Sequence, residues 1–436
     1  MGQIPFDPAN AASALRALPE RPAVFALYGA DVHAEPYIGR TPNLRGRLER
    51  LLQPSAKHPR RLQLAGRVRR IAFRLTGSDF ESLLLQFELL REVYGTKCLE
   101  RMHLGAPSFI RYLGSNRYPR ITVTNRPSQR EAAWAYGPFA SRAAAERFAD
   151  EALKIFLLRR CVDELDPNPS HPGCVYSEMK MCLAPCYQGC TDARYGEEAA
   201  AVEGFLATRG ESRLVTLRAE REAASADLEF ERAAALHTQV QRVDGVRSLA
   251  PELVRPLSQL RAVIMQASAE PDEVAVFLFE DGRLRGPVGF STLGMRIQNE
   301  QSGSSSLFAH PMAIEPVPEP AGAEMPVPAC DASEAADSAE AALPAPKLDA
   351  PVKTPRGLLE ARVEAVLAEL AASHDPPSST IRQGHLALLK RWYYRPEVRR
   401  VGEICFPDEE GLWPLKSIVR SAGRVAAKML TGRSQS

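Results

Sequence analysis

Five of the eight cysteines in this 436-residue chain lie between Cys161 and Cys190, and this cluster constrains the fold more than any other feature of the sequence. In a secreted protein it would predict disulfides, whereas in a reducing compartment it predicts a metal or redox site. The N-terminus has neither a basic start nor an apolar leader, and no run of eighteen apolar residues occurs. We therefore expect a cytoplasmic protein, without a membrane partner, that is built around a metal centre.

The length and the composition divide the chain into regions. A single compact core rarely holds 436 residues, so two or three domains are expected. Ten prolines fall between Pro311 and Pro355, among many alanines and scattered acids. Such a composition cannot bury a core, which predicts a disordered linker over 303–355. Beyond it, helical spacing and a basic segment from Lys390 to Arg395 predict a small helical C-terminal module over 356–436.

Ahead of the linker, the sequence predicts an α+β protein with four regions. They are a small α/β domain over 1–104, a cysteine-rich metal-centre region over 105–204, a helical hairpin over 205–250 and a short β-rich segment over 251–302. The first region alternates short apolar runs with helical patterns. Its last helix is expected to begin at Ser78, because Glu81 completes a capping box with that residue.

A patch of one charge sign lies in the first region. Between Arg40 and Arg74 there are eleven Lys or Arg residues and one acid, Glu49. Such a patch attracts polyanions, although a solvated helix face has a similar composition, and the patch does not by itself distinguish DNA from RNA. The candidate nucleic-acid-binding residues are seven arginines of this stretch: Arg45, Arg50, Arg60, Arg61, Arg67, Arg69 and Arg70.

The predicted strands and helix of this region carry a short motif. The triplet Ala23–Phe25 precedes the triplet Tyr37–Gly39, and Leu44 and Arg47 follow on the helix. The pattern resembles the GIY-YIG nuclease family, in which a tyrosine, an arginine and a glutamate surround one metal ion and the scissile phosphate. The resemblance implies catalytic roles for Tyr37 and Arg47, with Arg40 beside them. Tyrosine can deprotonate water, and arginine stabilises the charge of the transition state.

Two positions depart from that family. Phe25 stands where the first triplet has a tyrosine, and Gln86 stands where the family places its metal-binding glutamate. An amide oxygen brings no charge to a divalent ion. Glu81 and Glu88 lie about 140° and about 200° around the helix from Gln86, so neither faces the site. We expect a weakened or inactive nuclease that keeps phosphate binding and takes Mg²⁺ or Mn²⁺ only if it is active. A purely structural role of the tyrosine and the arginine is the alternative.

The cysteine block follows a Gly-Pro-Phe sequence that ends at Phe139, and it contains Cys182-Leu-Ala-Pro-Cys186. Both features resemble the UvrC family, a component of the bacterial UvrABC excinuclease, and the resemblance covers the first three hundred residues. It implies an iron-sulfur cluster, of the [4Fe-4S] type, with Cys190 left over. The implied ligands are Cys161, Cys174, Cys182 and Cys186. Structural zinc also takes four thiolates, and the spacing does not separate the two metals.

The helical hairpin carries a third match. The sequence from Leu228 to Leu236 resembles the core of the UVR motif, which in this family pairs with an equivalent hairpin on UvrB. A two-helix hairpin cannot bury an apolar stripe alone, so a partner is expected, either UvrB or another part of this chain. The candidate partner-binding residues are Leu228, Phe230, Ala233, Leu236 and Val240. His237 departs from the family pattern, which puts the pairing specificity in doubt.

These features favour two functions. The first is a UvrC-like protein of nucleotide excision repair that binds DNA and UvrB, with a GIY-YIG domain that cleaves weakly or not at all. The second is an active, single-incision, metal-dependent DNA endonuclease. We recognise in the sequence no counterpart of the RNase H-like second nuclease domain of the UvrC family, so at most one nuclease site is expected.

Overall fold

The computed structural model of the protein describes residues 1–31, 33–53, 64, 66–127, 134–162, 164–293, 295, 355–372 and 376–433. Except for Pro355, the predicted linker over 303–355 lies outside these residues. The strands are β1 (Gly2–Pro5), β2 (Ala23–Tyr28), β3 (Tyr37–Thr41), β4 (Arg70–Leu75), β5 (Ser108–Tyr112), β6 (Ile121–Thr124), β7 (Ala135–Phe139), β8 (Arg255–Pro256), β9 (Ala262–Ala267), β10 (Glu273–Glu280), β11 (Arg283–Ser291) and β12 (Glu403–Cys405). The α-helices are α1 (Ala11–Arg16), α2 (Leu44–Leu52), α3 (Asp79–Tyr94), α4 (Cys98–Arg101), α5 (Arg142–Ala152), α6 (Val175–Glu178), α7 (Asp192–Ala207), α8 (Glu211–Ala226), α9 (Phe230–Ser248), α10 (Pro355–Ala371), α11 (Ser379–Tyr393) and α12 (Leu415–Arg433).

The first sheet has the strand order β1-β4-β2-β3, and all its pairs are antiparallel. Helices α1 and α2 bury their apolar faces against it, including Leu15 and Leu48. Helix α3 begins after Ser78, whose side chain accepts a hydrogen bond from the Glu81 amide, so the predicted start is confirmed. The chain thus forms the expected small α/β domain, with an added edge strand β1 that its short sequence does not predict.

The second sheet, in the order β6-β5-β7-β8, supports the cysteine region and the helical hairpin. Its core continues into α5, α7, α8 and α9, with Tyr136, Phe148 and Phe205 at the centre. Helices α8 and α9 form the predicted hairpin and turn at residues 227–229. In this unit the sheet therefore anchors one end of the hairpin, while the turn projects away from the core.

The third sheet, in the order β11-β10-β9-β12, shows that the C-terminal residues do not form a separate helical module. Strand β12 pairs with β9, with Ile404 opposite Ile264. Alternate residues of β9 enter two different cores: Val263 and Met265 contact α10 and α12, whereas Ile264 lies in the core that contains α3 and α11. Because both faces of this sheet are apolar, both must be covered, and the C-terminal helices cover them.

Helices α3 and α11 approach closely where Gly384 faces Phe87. A Cβ atom at position 384 would lie 2.3 Å from the Phe87 ring, so only glycine permits this spacing. Phe80 on α3 packs edge-on against Phe277 of β10 and also contacts Trp392 of α11. The N-terminal domain is therefore joined to the third sheet through α3. No helix among the residues described is both long and apolar enough to cross a membrane.

Candidate nucleic-acid site and cysteine centre

Phe25 and Tyr37 lie on neighbouring strands of the first sheet, and Arg47 of α2 reaches Tyr37. Strands β2 and β3 pair with Phe25 opposite Gly39, and a Cβ at Gly39 would lie 2.8 Å from the Phe25 ring. The centroids of the Phe25 and Tyr37 rings are 6.1 Å apart. An Arg47 guanidinium N–H donates to the Tyr37 hydroxyl at 3.5 Å, from a helix that Asn43 caps by accepting from the Gly46 amide. A tyrosine hydroxyl and a guanidinium that meet in this way can contact one phosphate group.

Arg40, near the end of β3, forms an ion pair with Asp79, the first residue of α3. The other oxygen of the Asp79 carboxylate pairs with Arg395 at 2.5 Å. Burial raises the pKa of Asp79, but the hydrogen bonds and charges of Arg395 and Arg40 outweigh it, so the pKa lies below its usual value. Neither Asp79 nor Arg395 is among the site residues predicted from the sequence. Two features of the sequence point to them: Asp79 directly follows the residue that caps α3, and Arg395 belongs to a basic segment that had no assigned role.

Gln86 lies half-buried on α3, and the two acids nearest to it along the helix are Glu81 and Glu88. Glu81 is buried and accepts a hydrogen bond from the Gly77 amide at 2.8 Å. Burial raises the pKa values of both Glu81 and Glu88, and Arg74 lies close enough to oppose the shift in each. Across the described ranges, no group of three or more histidine, cysteine or acidic side chains is arranged to hold a metal ion.

The arginines of the basic patch differ in what they contact. Arg45 donates to the Leu18 carbonyl and pairs with Glu20 at 2.6 Å. Arg50 donates to the Gly46 carbonyl, and Arg70 lies over the Tyr28 ring and donates to the Gln3 side chain at 3.0 Å. Of the seven candidate arginines, those that are described and exposed are Arg50, Arg67, Arg69 and Arg70. Two predicted members, Arg60 and Arg61, lie outside the described residues.

The cysteine loop has a defined backbone. Cys174 caps the short helix α6, and a 3₁₀ turn over Pro185–Tyr187 carries Cys186. Ala184 adopts a left-handed conformation with φ +55°, and its carbonyl accepts from the Gly189 amide at 2.9 Å. The Cys186 carbonyl accepts from the Asn168 amide at 2.9 Å. These bonds fold the segment back on itself, so cysteines that are distant in sequence lie on one compact loop.

Four thiols of this loop interact electrostatically. Burial raises the pKa of Cys182, and the charges of Cys174, Cys186 and Cys161 raise it further. Burial also raises the pKa of Cys186, with contributions from Cys174 and Cys161. For Cys190, burial and then Asp192 raise the pKa, and Cys186 contributes least. Cys182 and Cys186 therefore each lie within electrostatic range of Cys161 and Cys174, but these side chains are not arranged as a metal site in the part of the chain that the structure describes.

A buried arginine reaches this group of thiols. Arg159 is 4% exposed, and its guanidinium donates to the Cys161 sulfur at 3.4 Å and to the Tyr118 carbonyl at 3.1 Å. The Arg159 amide donates to the Tyr195 hydroxyl. This contact links a buried guanidinium to one of the four implied ligands.

The five candidate residues of the hairpin fall into two groups. Leu236 and Val240 are buried in the core that α8 and α9 share with the second sheet, and Ala233 packs against that core. Leu228 and Phe230 are 70% and 67% exposed at the turn, where Leu228 adopts φ +61°. This chain therefore covers part of the stripe itself and leaves the apolar tip uncovered.

Comparison with known proteins identifies two matched regions. Residues 109–205 match the family model described as UvrC/Cho excinuclease, middle domain, and residues 211–245 match the UvrB/uvrC motif. UvrABC system protein C of Alcanivorax borkumensis is 30% identical over 227 residues, which cover 52% of this chain and 37% of that protein. The protein of the same name from Ruminiclostridium cellulolyticum is 27% identical over 297 residues, or 67% and 47%. The matched part thus spans less than half of these relatives. No solved structure matches the chain significantly.

Proposed function

Because this chain is related to the UvrABC system protein C family through its middle domain and its UVR motif, we propose that it acts in nucleotide excision repair. In this proposal it binds DNA through the first sheet and binds UvrB through the hairpin, with weak cleavage or none. The matched regions support the repair assignment. The first sheet lies outside them, so its role is argued from its side chains alone.

One observation carries the proposal of weak or absent cleavage. Tyr37 and Arg47 stay in contact and can bind a phosphate, whereas Gln86 supplies an uncharged amide where a carboxylate would hold the metal ion. Glu81 is committed to the Gly77 amide and does not replace it. A site of this composition binds the backbone of DNA better than it activates water.

Cleavage assays test this proposal directly. Purified protein is incubated with nicked, lesion-bearing and branched DNA in the presence of Mg²⁺ or Mn²⁺, and binding is measured on the same substrates. We expect binding without cutting, and we expect Gln86→Glu to increase metal-dependent cutting. Metal-dependent cutting by the wild type that is lost in Tyr37→Phe and Arg47→Ala would refute the binding role. Competition between DNA and RNA at one salt concentration identifies the preferred polymer.

The second candidate is an active single-incision endonuclease. The retained contact between Tyr37 and Arg47 favours it, because these are the residue types that activate water and stabilise the transition state. The same assay decides between the two functions. In the active enzyme, chelation of the divalent ion would abolish cutting and leave DNA binding largely intact.

The hairpin tip is our candidate surface for UvrB. Leu228 and Phe230 present two large apolar side chains to solvent, which is typical of a surface that a partner covers. Truncation of both to alanine is expected to weaken binding to UvrB at least tenfold, since each buried anchor contributes about 1–2 kcal/mol or more. Val215→Ala is the matched control, because Val215 is also exposed on this hairpin but lies outside the motif core. Equal loss in the control would contradict the tip assignment.

The cysteine loop is our candidate metal centre, for a [4Fe-4S] cluster or alternatively for zinc. Four thiolates are the ligand type that either group takes, and Cys182 and Cys186 each lie within electrostatic range of Cys161 and Cys174. The four side chains are not arranged as a metal site among the described residues, so the loop would have to rearrange on binding. When bound, such a group would tie the loop segments together, while Arg159 would stabilise the thiolate of Cys161. An absorption spectrum and metal analysis of anaerobically purified protein distinguish the two. Cys182→Ser is expected to lose the metal and Cys190→Ser to keep it.

A further inference from the structure

The basic segment from Lys390 to Arg395, at the end of α11, has no role in the functions proposed above. Its aromatic residues are structural anchors. Trp392 is 2% exposed and donates its indole N–H to the Val401 carbonyl at 2.9 Å. The Tyr394 hydroxyl donates to the Pro138 carbonyl at 2.9 Å. Tyr393 and Tyr394 are partly buried against the same core as Trp392. Rings that are packed in this way are not free to stack on nucleic-acid bases. What the segment offers to a partner is therefore its cations.

One of these cations, Arg395, reaches the N-terminal domain at Asp79, which also contacts Arg40 of the first sheet. Arg395 and Arg40 pair with opposite oxygens of the same carboxylate, that of Asp79. All three side chains are partly accessible, with exposed fractions of 34% for Arg40, 27% for Arg395 and 39% for Asp79. Residues separated by more than 300 positions in the chain thus converge on one site that a solvent-borne ligand can reach.

The charges of this site favour an anion. Two guanidinium groups and one carboxylate leave a net charge of +1. The carboxylate lies between the two guanidinium groups, and each group contacts one of its oxygens. Guanidinium groups bind phosphate oxygens as they bind carboxylate oxygens, so a phosphate could take the same position. Tyr37 lies three residues before Arg40 on β3 and so projects from the opposite face of the strand, which means that Tyr37 and Arg47 would contact a different phosphate.

We propose that Arg40 and Arg395 together bind one backbone phosphate of DNA, and that Asp79 is the internal anion which holds the two cations side by side until the phosphate displaces it. The inference rests on the proposed binding of DNA by the first sheet and adds the C-terminal segment to that surface. Asp79 then opposes DNA binding, while Arg395 promotes it, although the two residues are partners in the free protein.

The test is the salt dependence of DNA affinity, measured by fluorescence anisotropy with the full chain and a labelled duplex. Loss of one phosphate contact in Arg395→Gln should reduce the slope of log K against log salt by about 0.9 and weaken binding about fivefold at about 0.15 M salt. Arg395→Lys keeps the charge and should retain most of the slope. Asp79→Asn should bind DNA several-fold more tightly than the wild type. Circular dichroism and thermal unfolding establish that each variant is folded.

Arg142→Gln is the matched control, because Arg142 is also an accessible arginine in a surface ion pair, with Glu146 on α5. Its affinity and slope are expected to equal those of the wild type. If Arg395→Gln behaves like this control while the wild type binds DNA, the inference is overturned and the proposed function stands. If Asp79→Asn weakens binding, displacement by phosphate is refuted. If the wild type binds no DNA, both proposals fail.

Discussion

A single methyl group at position 384 tests how the N-terminal domain is attached to the third sheet. In Gly384→Ala the new Cβ would lie 2.3 Å from two atoms of the Phe87 ring, and 3.1 Å from a third. Phe87 is fully buried, so the ring cannot swing into solvent, and α3 and α11 must separate by about an ångström or more to reach normal carbon contact distances.

Two effects of opposite sign determine the result. Alanine is favoured over glycine inside a helix by about 1 kcal/mol. Overpacking of a tight core costs about 1–3 kcal/mol and sometimes more, and a contact this short belongs to the upper end. The net expectation is a loss of about 1–2 kcal/mol in the free energy of unfolding. Gly245→Ala on α9 is the matched control: no atom lies within 4 Å of its added Cβ, so it should gain about 1 kcal/mol.

Equilibrium unfolding in urea, followed by tryptophan fluorescence, measures both variants, because Trp392 lies in the same core as Phe87. Phe87→Leu combined with Gly384→Ala should recover part of the loss, since the smaller side chain makes room for the methyl group. If Gly384→Ala raised the unfolding midpoint as much as Gly245→Ala, the close approach of α3 and α11 would be refuted.

Three further predictions concern stability. Leu236→Ala should lower the free energy of unfolding by about 2–5 kcal/mol, because Leu236 is buried in this chain. Phe230→Ala should change it by less than about 0.5 kcal/mol, because Phe230 is exposed, and urea titrations compare the two variants. Burial, together with Arg283 and Arg91, lowers the pKa of His385 from 6.5 to about 3. As pH falls below 6.5, the unfolded state therefore binds a proton that the folded state does not bind, and the free energy of unfolding should fall. The decrease should reach up to about 1.4 kcal/mol per pH unit between pH 6.5 and about pH 3. His385→Asn, which can still accept from the Leu284 amide, should flatten that dependence in denaturation curves at several pH values. The pKa of Asp79 is lowered below 3.8, so the ionised carboxylate stabilises the fold above that pH, and this stabilisation is lost as pH falls further. Asp79→Asn should remove this part of the loss of stability in acid, which thermal unfolding below about pH 4 would measure.

The elements that could be predicted from the sequence are those set by local chemistry. Ser78 and Glu81 indicate where α3 begins, and the structure confirms this start. Asp281 and Gly282 predict a tight two-residue turn, and both residues adopt left-handed conformations between β10 and β11. In each case the residues from which the prediction is made are the same residues that form the capping hydrogen bond or the turn.

The predictions that failed depend on residues far apart in the chain. The C-terminal region was expected to be a separate helical module, but β12 is only three residues long and its partner β9 lies about 140 residues earlier, so no local pattern reveals the pairing. The alternation of apolar residues on both faces of β9 and β10 was the available signal. The hairpin stripe predicted a covering partner, either UvrB or another part of this chain, and did not choose between them. Leu236 and Val240 are buried in the core that the hairpin shares with the second sheet.

The late addition of β12 to the edge of the third sheet has a consequence for folding during synthesis. Strands β9 to β11 leave the ribosome well before α10, α11, α12 and β12, whose residues cover their two apolar faces. Until then the nascent chain carries a sheet with one apolar face uncovered and the other covered only in part, by α3, which is the kind of intermediate that aggregates or recruits chaperones. Pairing across such a long sequence separation is also slow to nucleate. A nascent chain arrested at residue 302 should therefore remain protease-sensitive in this sheet, while one extended past residue 433 should become protected.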